Sequence, residues 1–246
     1  MRTLAAYRSL GAIDARNVAR DSMLRWIVVL TPAFGLLFRY ALPPAAAAVQ
    51  KRFGFDLTAY YALVMSFLPL VVAGMIGTVV GFLLLDQRDD QTMTALLVTP
   101  LSLGDYLRYR MTVPMLLCVV FSCVAVPLAG LRETTLLQLV VTAIVAAPLA
   151  PIYALFLGTV AANKVQGFAL AKIVGIVFIP CVAAYFVTGP WQTLFGLVPH
   201  YWPLKVYWLF DVGKVGPALV HALFGLAWQA AVLTWLAKRF AHVVRR

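Results

Sequence analysis

The acidic residues are the natural place to look for chemistry, because this chain holds only nine of them in 246 residues. Asp14, Asp21, Asp56, Asp86, Asp89, Asp90, Asp105, Glu133 and Asp211 all sit at the ends of apolar segments or between them. None is paired with a histidine at helical spacing inside an apolar run. A phosphate-cradling GxxxxGKS or GxxxxGKT loop, an HExxH pair and a GxSxG nucleophile turn are all absent. Cys118, Cys123 and Cys181 fall inside apolar runs with no CxxC or Cys/His spacing, so they read as small hydrophobes and no metal site is expected. The expectation is a chain with no catalytic residue, no metal and no cofactor of its own, unable to hydrolyse ATP. If it does vectorial work, the energy must arrive from another polypeptide.

One acid-led stretch offers the surface for that: Asp86-Gln87-Arg88-Asp89-Asp90-Gln91-Thr92-Met93-Thr94-Ala95-Leu96-Leu97-Val98-Thr99-Pro100-Leu101-Ser102. Asp89 and Asp90 stand where negative charge stabilises a helix amino terminus. Met93, Leu96 and Leu97 then share one face at i, i+3 and i+4, and Pro100 ends the turn. A short helix over Thr92 to Val98, lying parallel to a membrane, would present an apolar knob with an acidic flank to a partner's groove. The same spacing also suits a plain connector whose Met and Leu rest on lipid, and periodicity does not decide between them.

The elements that must position this stretch are apolar throughout. The chain is 63% hydrophobic and 12% charged, with a mean hydropathy of +0.91, whereas soluble domains carry roughly 25% charge. This composition describes an all-α polytopic membrane protein. Its net charge of +11 therefore reads as the cytoplasmic bias of Lys and Arg around spans, and no nucleic-acid partner is expected. The first 25 residues hold Arg2, Arg8, Arg16, Arg20 and Arg25 without a small-residue cleavage pattern, so a removable signal is not expected.

Residues 1–22 read as an interfacial helix with an imperfect apolar stripe, because Asp14 intrudes on the apolar side; a plain basic tail is the alternative. Asp21 and Ser22 can cap the first span. Six spans are expected, at 23–42, 57–85, 111–131, 134–161, 168–187 and 217–237, with a coupling loop at 86–104. Pro43-Pro44 should close the first span and leave a loop from Ala45 to Asp56. Pro217 suits a first helical position. In the second span Gly74, Gly77 and Gly81 recur at helical spacing and permit close backbone approach, by the same chain or by a second copy. Residues 188–214 carry Trp191, Phe195, Tyr201, Trp202, Tyr207, Trp208 and Phe210 among Pro190, Pro199 and Pro203. That density suits short re-entrant helices at headgroup level before the last span. With the amino terminus inside, 14 of the 20 basic residues fall on the inner side, which places both termini and residues 86–110 in the cytoplasm. The ionisable groups nearest the membrane interior are then Lys172 and His221, both at span ends where side chains snorkel.

The run from Leu83 through Asp86-Gln87-Arg88-Asp89-Asp90 to Leu96-Leu97-Val98-Thr99-Pro100-Leu101-Ser102 resembles the cytoplasmic loop of ABC-2 type transporter permeases, where an acidic-basic cluster and a Leu-Leu-x-Thr-Pro-Leu-Ser run form the coupling helix. Gln87, Gln91 and Thr94 depart from the Glu, Gly and Glu frequent there. The amino-terminal helix, the six spans and the aromatic region before the last one agree over essentially the whole chain. Asn163-Lys164-Val165-Gln166-Gly167 and Pro199-His200-Tyr201-Trp202-Pro203-Leu204-Lys205 are similar to the fluoroquinolone export permeases within that family.

The resemblance implies a permease half in a bacterial inner membrane. It would be paired with a second permease, identical or different, and with two ABC ATPase subunits that carry ATP and Mg. Closure of those subunits would push on Asp86, Arg88, Asp89, Asp90, Thr92, Met93, Leu96, Leu97, Thr99 and Pro100. Spans two and five would rotate, with Gly74, Gly77 and Gly81 letting helices slide. A lateral path would open for a hydrophobic or amphipathic drug-like molecule or lipid. The segment holding Trp191, Tyr201, Trp202, Pro203 and Trp208 would cap the outer exit. A non-transporting membrane scaffold with a degenerate coupling loop is the alternative. An ion-coupled carrier is opposed by the missing intramembrane carboxylate.

Overall fold

Six helical stretches of 23 to 32 residues, each long and apolar enough to cross a bilayer, dominate the structure, a computed structural model that describes residues 2–89 and 103–244. No strand occurs among the described residues, so the all-α polytopic reading holds. The helices are α1 (Arg2–Arg20), α2 (Ser22–Phe53), α3 (Tyr61–Asp89), α4 (Leu103–Ala129), α5 (Leu136–Ala146), α6 (Leu149–Val160), α7 (Lys164–Val174), α8 (Phe178–Phe186), α9 (Tyr201–Asp211) and α10 (Val215–Val244). Single turns of 3-10 helix stand at Leu57–Tyr60 and Gly175–Val177, and a longer 3-10 stretch at Pro190–Leu197.

Leu57–Arg88 and Leu136–Val160 are mostly buried within the chain, whereas the other four stretches are buried only in small part. The bundle is thus built around α3 and the α5–α6 pair. The periphery presents Trp26, Leu37, Leu116, Ile179, Leu223 and Trp235 to the surroundings, the composition a lipid-facing shell requires. Glycine makes the central contact possible. A Cβ at Gly77 would lie 2.5 Å from the Ala150 carbonyl oxygen and 2.6 Å from Tyr153 Cβ, so α3 touches α6 backbone to backbone. The neighbour at this stripe is a segment of the same chain.

Several boundaries differ from those read in the sequence, each for a physical reason. The first span, α2, does not stop at Pro43-Pro44 but runs to Phe53, and the loop at 45–56 shrinks accordingly. The two rings remove backbone donors from an exposed turn, and Ala45 to Ala48, all strong helix formers, carry the helix on. Asp56 then caps the 3-10 turn, accepting from the Thr58 amide at 2.9 Å and its hydroxyl at 2.6 Å, which draws the Asp56 carboxyl below its ordinary pKa.

The second span extends through Asp89, so Asp86 to Asp89, expected in the coupling loop, lie within α3. The third begins at Leu103, taking Asp105, Arg108 and Arg110 into the helix, because Asp105 favours the first turn and Arg110 has partners inside the bundle. The fourth is two helices, broken at Ala147-Pro148 where the ring removes a donor. The fifth starts at Lys164 and breaks at Gly175–Val177. Pro180 supplies the cause: its ring lacks a donor for the Ile176 carbonyl, four residues back, and crowds it. The last helix begins at Val215, which puts Pro217 at its third residue. Asp21 caps α2, its carboxylate accepting from the Leu24 amide at 3.2 Å.

Candidate functional site

The ends of α3 and α4 that flank residues 90–102 are held by two sets of polar contacts. Thr92, Met93, Leu96, Leu97, Thr99, Pro100 and Asp90 lie outside the described residues. Asp86 and Arg88 lie within them, and their partners define what the flanking ends are tied to.

Arg88 reaches across to the carboxyl end of α6. Its guanidinium donates to the carbonyls of Gly158 at 3.0 Å, Ala161 at 2.8 Å and Ala162 at 2.8 Å. Terminal carbonyls of a helix have no intrahelical donor, and a cation there also meets the negative end of the dipole. Arg88 is in effect the carboxyl cap of α6, delivered by α3. Arg88→Gln, which cannot span three carbonyls, is expected to lower stability by about 2 kcal/mol. The check is the midpoint of unfolding of the purified protein in detergent, with Arg88→Lys falling between the two.

Asp86 pairs with Lys164, whose Nζ lies 3.0 Å from Asp86 Oδ2 and 2.9 Å from Asp21 Oδ2. One ammonium on the first residue of α7 therefore joins the α1–α2 junction to the end of α3. The return turn behind it is ordered by Asn163, whose side chain accepts from the Gln166 amide at 2.9 Å, and by Gln166, which accepts from the Ala162 amide at 2.6 Å.

The second set is centred on Arg110, which is 1% exposed. Its Nη1 donates to Asp14 Oδ2 at 2.7 Å and its Nη2 to Asp14 Oδ1 at 3.0 Å, the bidentate geometry that best suits a buried guanidinium. Nη2 also donates to Gln87 Oε1 at 2.9 Å and Nε to the Tyr106 hydroxyl at 3.0 Å. Tyr106 donates to Gln87 Oε1 at 2.6 Å, and Tyr109 to Asp14 Oδ2 at 2.7 Å. The acid that spoiled the apolar stripe of α1 is thus its attachment point to α4 and, through Arg110, to Gln87 of α3. Together the two sets gather α1, α3, α4, α6 and α7 at one end of the bundle, and both reach it through Asp86, Gln87 and Arg88.

Farther along α3 lies a cavity of about 290 Å³, close to the lower limit of roughly 300 Å³ common for small-molecule sites. Ile27 of α2, Val71, Gly74, Met75 and Thr78 of α3, Tyr153 and Leu157 of α6, Ala171 of α7, Gly175 and Phe178 line it. Among the described residues, no charged side chain does. It lies among the spans read from the sequence as one, two, four and five, beside the break at Gly175–Val177.

At the opposite end, α9 anchors the aromatic segment. Trp208 is buried and its indole donates to Ser66 Oγ at 2.9 Å, while the Trp202 indole donates to the Gly196 carbonyl at 2.9 Å. Tyr201 and Pro203 are buried, whereas Trp191 is exposed. Arg132 makes a bidentate pair with Asp211 at 2.9 and 2.8 Å, which raises the Arg132 pKa further above its ordinary value. Lys172 is exposed, and His221 bonds locally, at the Pro217 carbonyl 2.8 Å away.

The buried imidazole is a different one, His200. It is 5% exposed, hydrogen-bonded through Nε2 to the Tyr153 hydroxyl, with no partner at Nδ1 among the described residues. Burial pushes its pKa down to about 4, so the ring is neutral at physiological pH. Sequence reading missed Asp14, Arg110 and His200 as partners, since each meets its counterpart across 47 or more residues.

A model of the family described as fluoroquinolones export permease protein Rv2686c-like matches residues 14–237. The fluoroquinolones export permease proteins Rv2686c and MT2760, from Mycobacterium tuberculosis strains H37Rv and CDC 1551, are each 32% identical to this chain over 244 residues. The aligned region covers 97% of this chain and 94% of each relative. No solved structure matches.

Proposed function

The chain belongs to the Rv2686c-like family of fluoroquinolone export permeases, and on that premise we propose that it is the membrane subunit of an ATP-driven exporter of amphipathic, drug-like molecules. The family match carries the reading. The uncharged cavity between α2, α3 and α7 supports it with space of the right size and polarity for a flat, largely apolar molecule. A separate ATPase subunit supplies the energy, two copies serving two permeases in a bacterial inner membrane, with the arginine-rich end of the bundle in the cytoplasm.

Residues 90–102 receive the push. Asp86, Gln87 and Arg88 carry it from there into α1, α4, α6 and α7 through their hydrogen bonds and ion pairs. The α3–α6 contact at Gly77 and the break at Gly175–Val177 give the cavity walls a rigid side and a deformable one. The Trp191–Trp208 segment covers the exit.

The experiment is co-purification followed by reconstitution. A tagged permease should bring down an ATPase subunit, and vesicles holding the pair should move a fluoroquinolone in an ATP-dependent way. Leu96→Asp should abolish substrate-stimulated ATP hydrolysis and transport together while leaving the protein in the membrane. A scaffold would bind no ATPase, and an ion-coupled carrier would lose transport when the ion gradient collapses and ignore ATP.

A further inference from the structure

We propose that Phe67, Phe178, His200 and Tyr153 form the barrier that closes the membrane cavity on the Trp191 side, with His200 as the positioning residue that holds it shut. The proposal rests on the exporter reading only for the direction in which substrate passes.

Four aromatic rings from four segments of the chain meet edge to face. Phe67 of α3 and Phe178 of α8 have ring centroids 5.7 Å apart at 66°. Phe178 and His200 are 5.9 Å apart at 79°, and His200 and Tyr153 of α6 are 5.2 Å apart at 62°. These are favoured geometries for aromatic pairs. Tyr153 and Phe178 also line the cavity, whereas His200 does not. Phe67 sits one turn of α3 beyond the lining residue Val71, and His200 belongs to the segment that leads into α9. The rings therefore run as a chain across the end of the cavity that faces α9, tying α3, α8, the His200 segment and α6 to one another.

His200 is the member whose removal opens the most. Of the four it is the one whose ring contacts reach two others that line the cavity, and it is joined to one of these, Tyr153, by a hydrogen bond as well. Its other nitrogen has no hydrogen-bond partner among the described residues, so the bond to Tyr153 is the polar contact that fixes the ring there. The break at Gly175–Val177 lies directly before Phe178, so this ring can swing with α8 while α7 stays in place. An amphipathic aromatic molecule leaving the cavity would displace Phe178 and replace the ring contacts with its own. The His200-Tyr201-Trp202 run then has a role at its first residue, the barrier, and at its third, where Trp202 anchors to Gly196.

The test reads access without needing transport. Cys118, Cys123 and Cys181 are replaced by serine or alanine, and Thr78→Cys places one thiol on the cavity wall. A membrane-impermeant methanethiosulfonate is added on the Trp191 side of the intact full-length protein in vesicles. Labelling should be slow with the barrier intact. It should rise about tenfold or more in His200→Ala and Phe178→Ala, and less in Tyr153→Phe, which keeps the ring and loses one hydrogen bond. His200→Gln, which can still bond Tyr153, should restore part of the closure. Equal labelling rates in all variants would overturn the proposal, and so would a rise of the same size for reagent added at the arginine-rich end, since that marks general loosening. If the wild-type complex shows no ATP-dependent export, the exporter reading fails while the labelling contrast still decides the barrier.

Discussion

Asp14→Ala is expected to cost about 3 kcal/mol of stability, because it leaves the Arg110 guanidinium buried and short of its counter-charge. Arg110 is 1% exposed, and two of its four hydrogen bonds go to Asp14 alone. Tyr106 and Gln87 remain to receive its other protons, but neither carries charge, and the Tyr109 hydroxyl loses its Asp14 acceptor at the same time. The midpoint of unfolding in detergent should fall accordingly. Because this carboxylate ties α1 to α4, protease cleavage within α1 should rise in parallel. Adding Arg110→Met removes the orphaned charge and should recover part of the loss. If the single change is neutral, the pair does not hold α1 in place.

Gly77→Val should be comparably damaging, at the centre of the bundle. The added Cβ falls against a backbone oxygen and a Cβ of α6, neither of which can rotate away, so α3 and α6 must part along their length. Overpacking of this kind costs about 3 kcal/mol, and the loss should appear both as reduced yield of folded protein and as a lower unfolding midpoint. Gly74→Ala on the same face is the control. Its Cβ would stand 3.7 Å from the Tyr153 ring, an ordinary contact, and stability should scarcely change.

How much of this was legible beforehand depends on the range of each interaction. The six spans are written in local apolarity, which any window along the chain reports, and the glycine stripe announced a close helix contact without naming its partner. Pro43-Pro44 misled because proline reports a lost donor, whereas the run of alanines after it decides whether the helix survives. Pro180 acted one turn upstream of itself, placing the break at Gly175–Val177 where the sequence alone reads an unbroken apolar run. Asp14 looked like a defect in α1 because its partner stands 96 residues away. His200 was visible within a shared motif, yet its position in a stretch rich in proline and aromatics gave no sign that it would be buried. Asp14 and His200 are both long-range pairings, which no periodicity carries.

The two fastenings of α3 at its Asp86–Arg88 end respond differently to ionic strength. Lys164 is held by two carboxylates on side chains about one-third exposed, so mobile ions weaken that attachment and leave α7 resting on α3 through apolar contacts such as Phe168 against Phe82, ring centroids 4.6 Å apart. Arg88 is held by three neutral carbonyls, which counter-ions do not compete for on equal terms. At high salt α3 and α6 therefore keep their polar fastening while α7 rests on its apolar contacts with α3. The helix that borders the cavity opposite them is the one whose polar grip depends on the electrolyte.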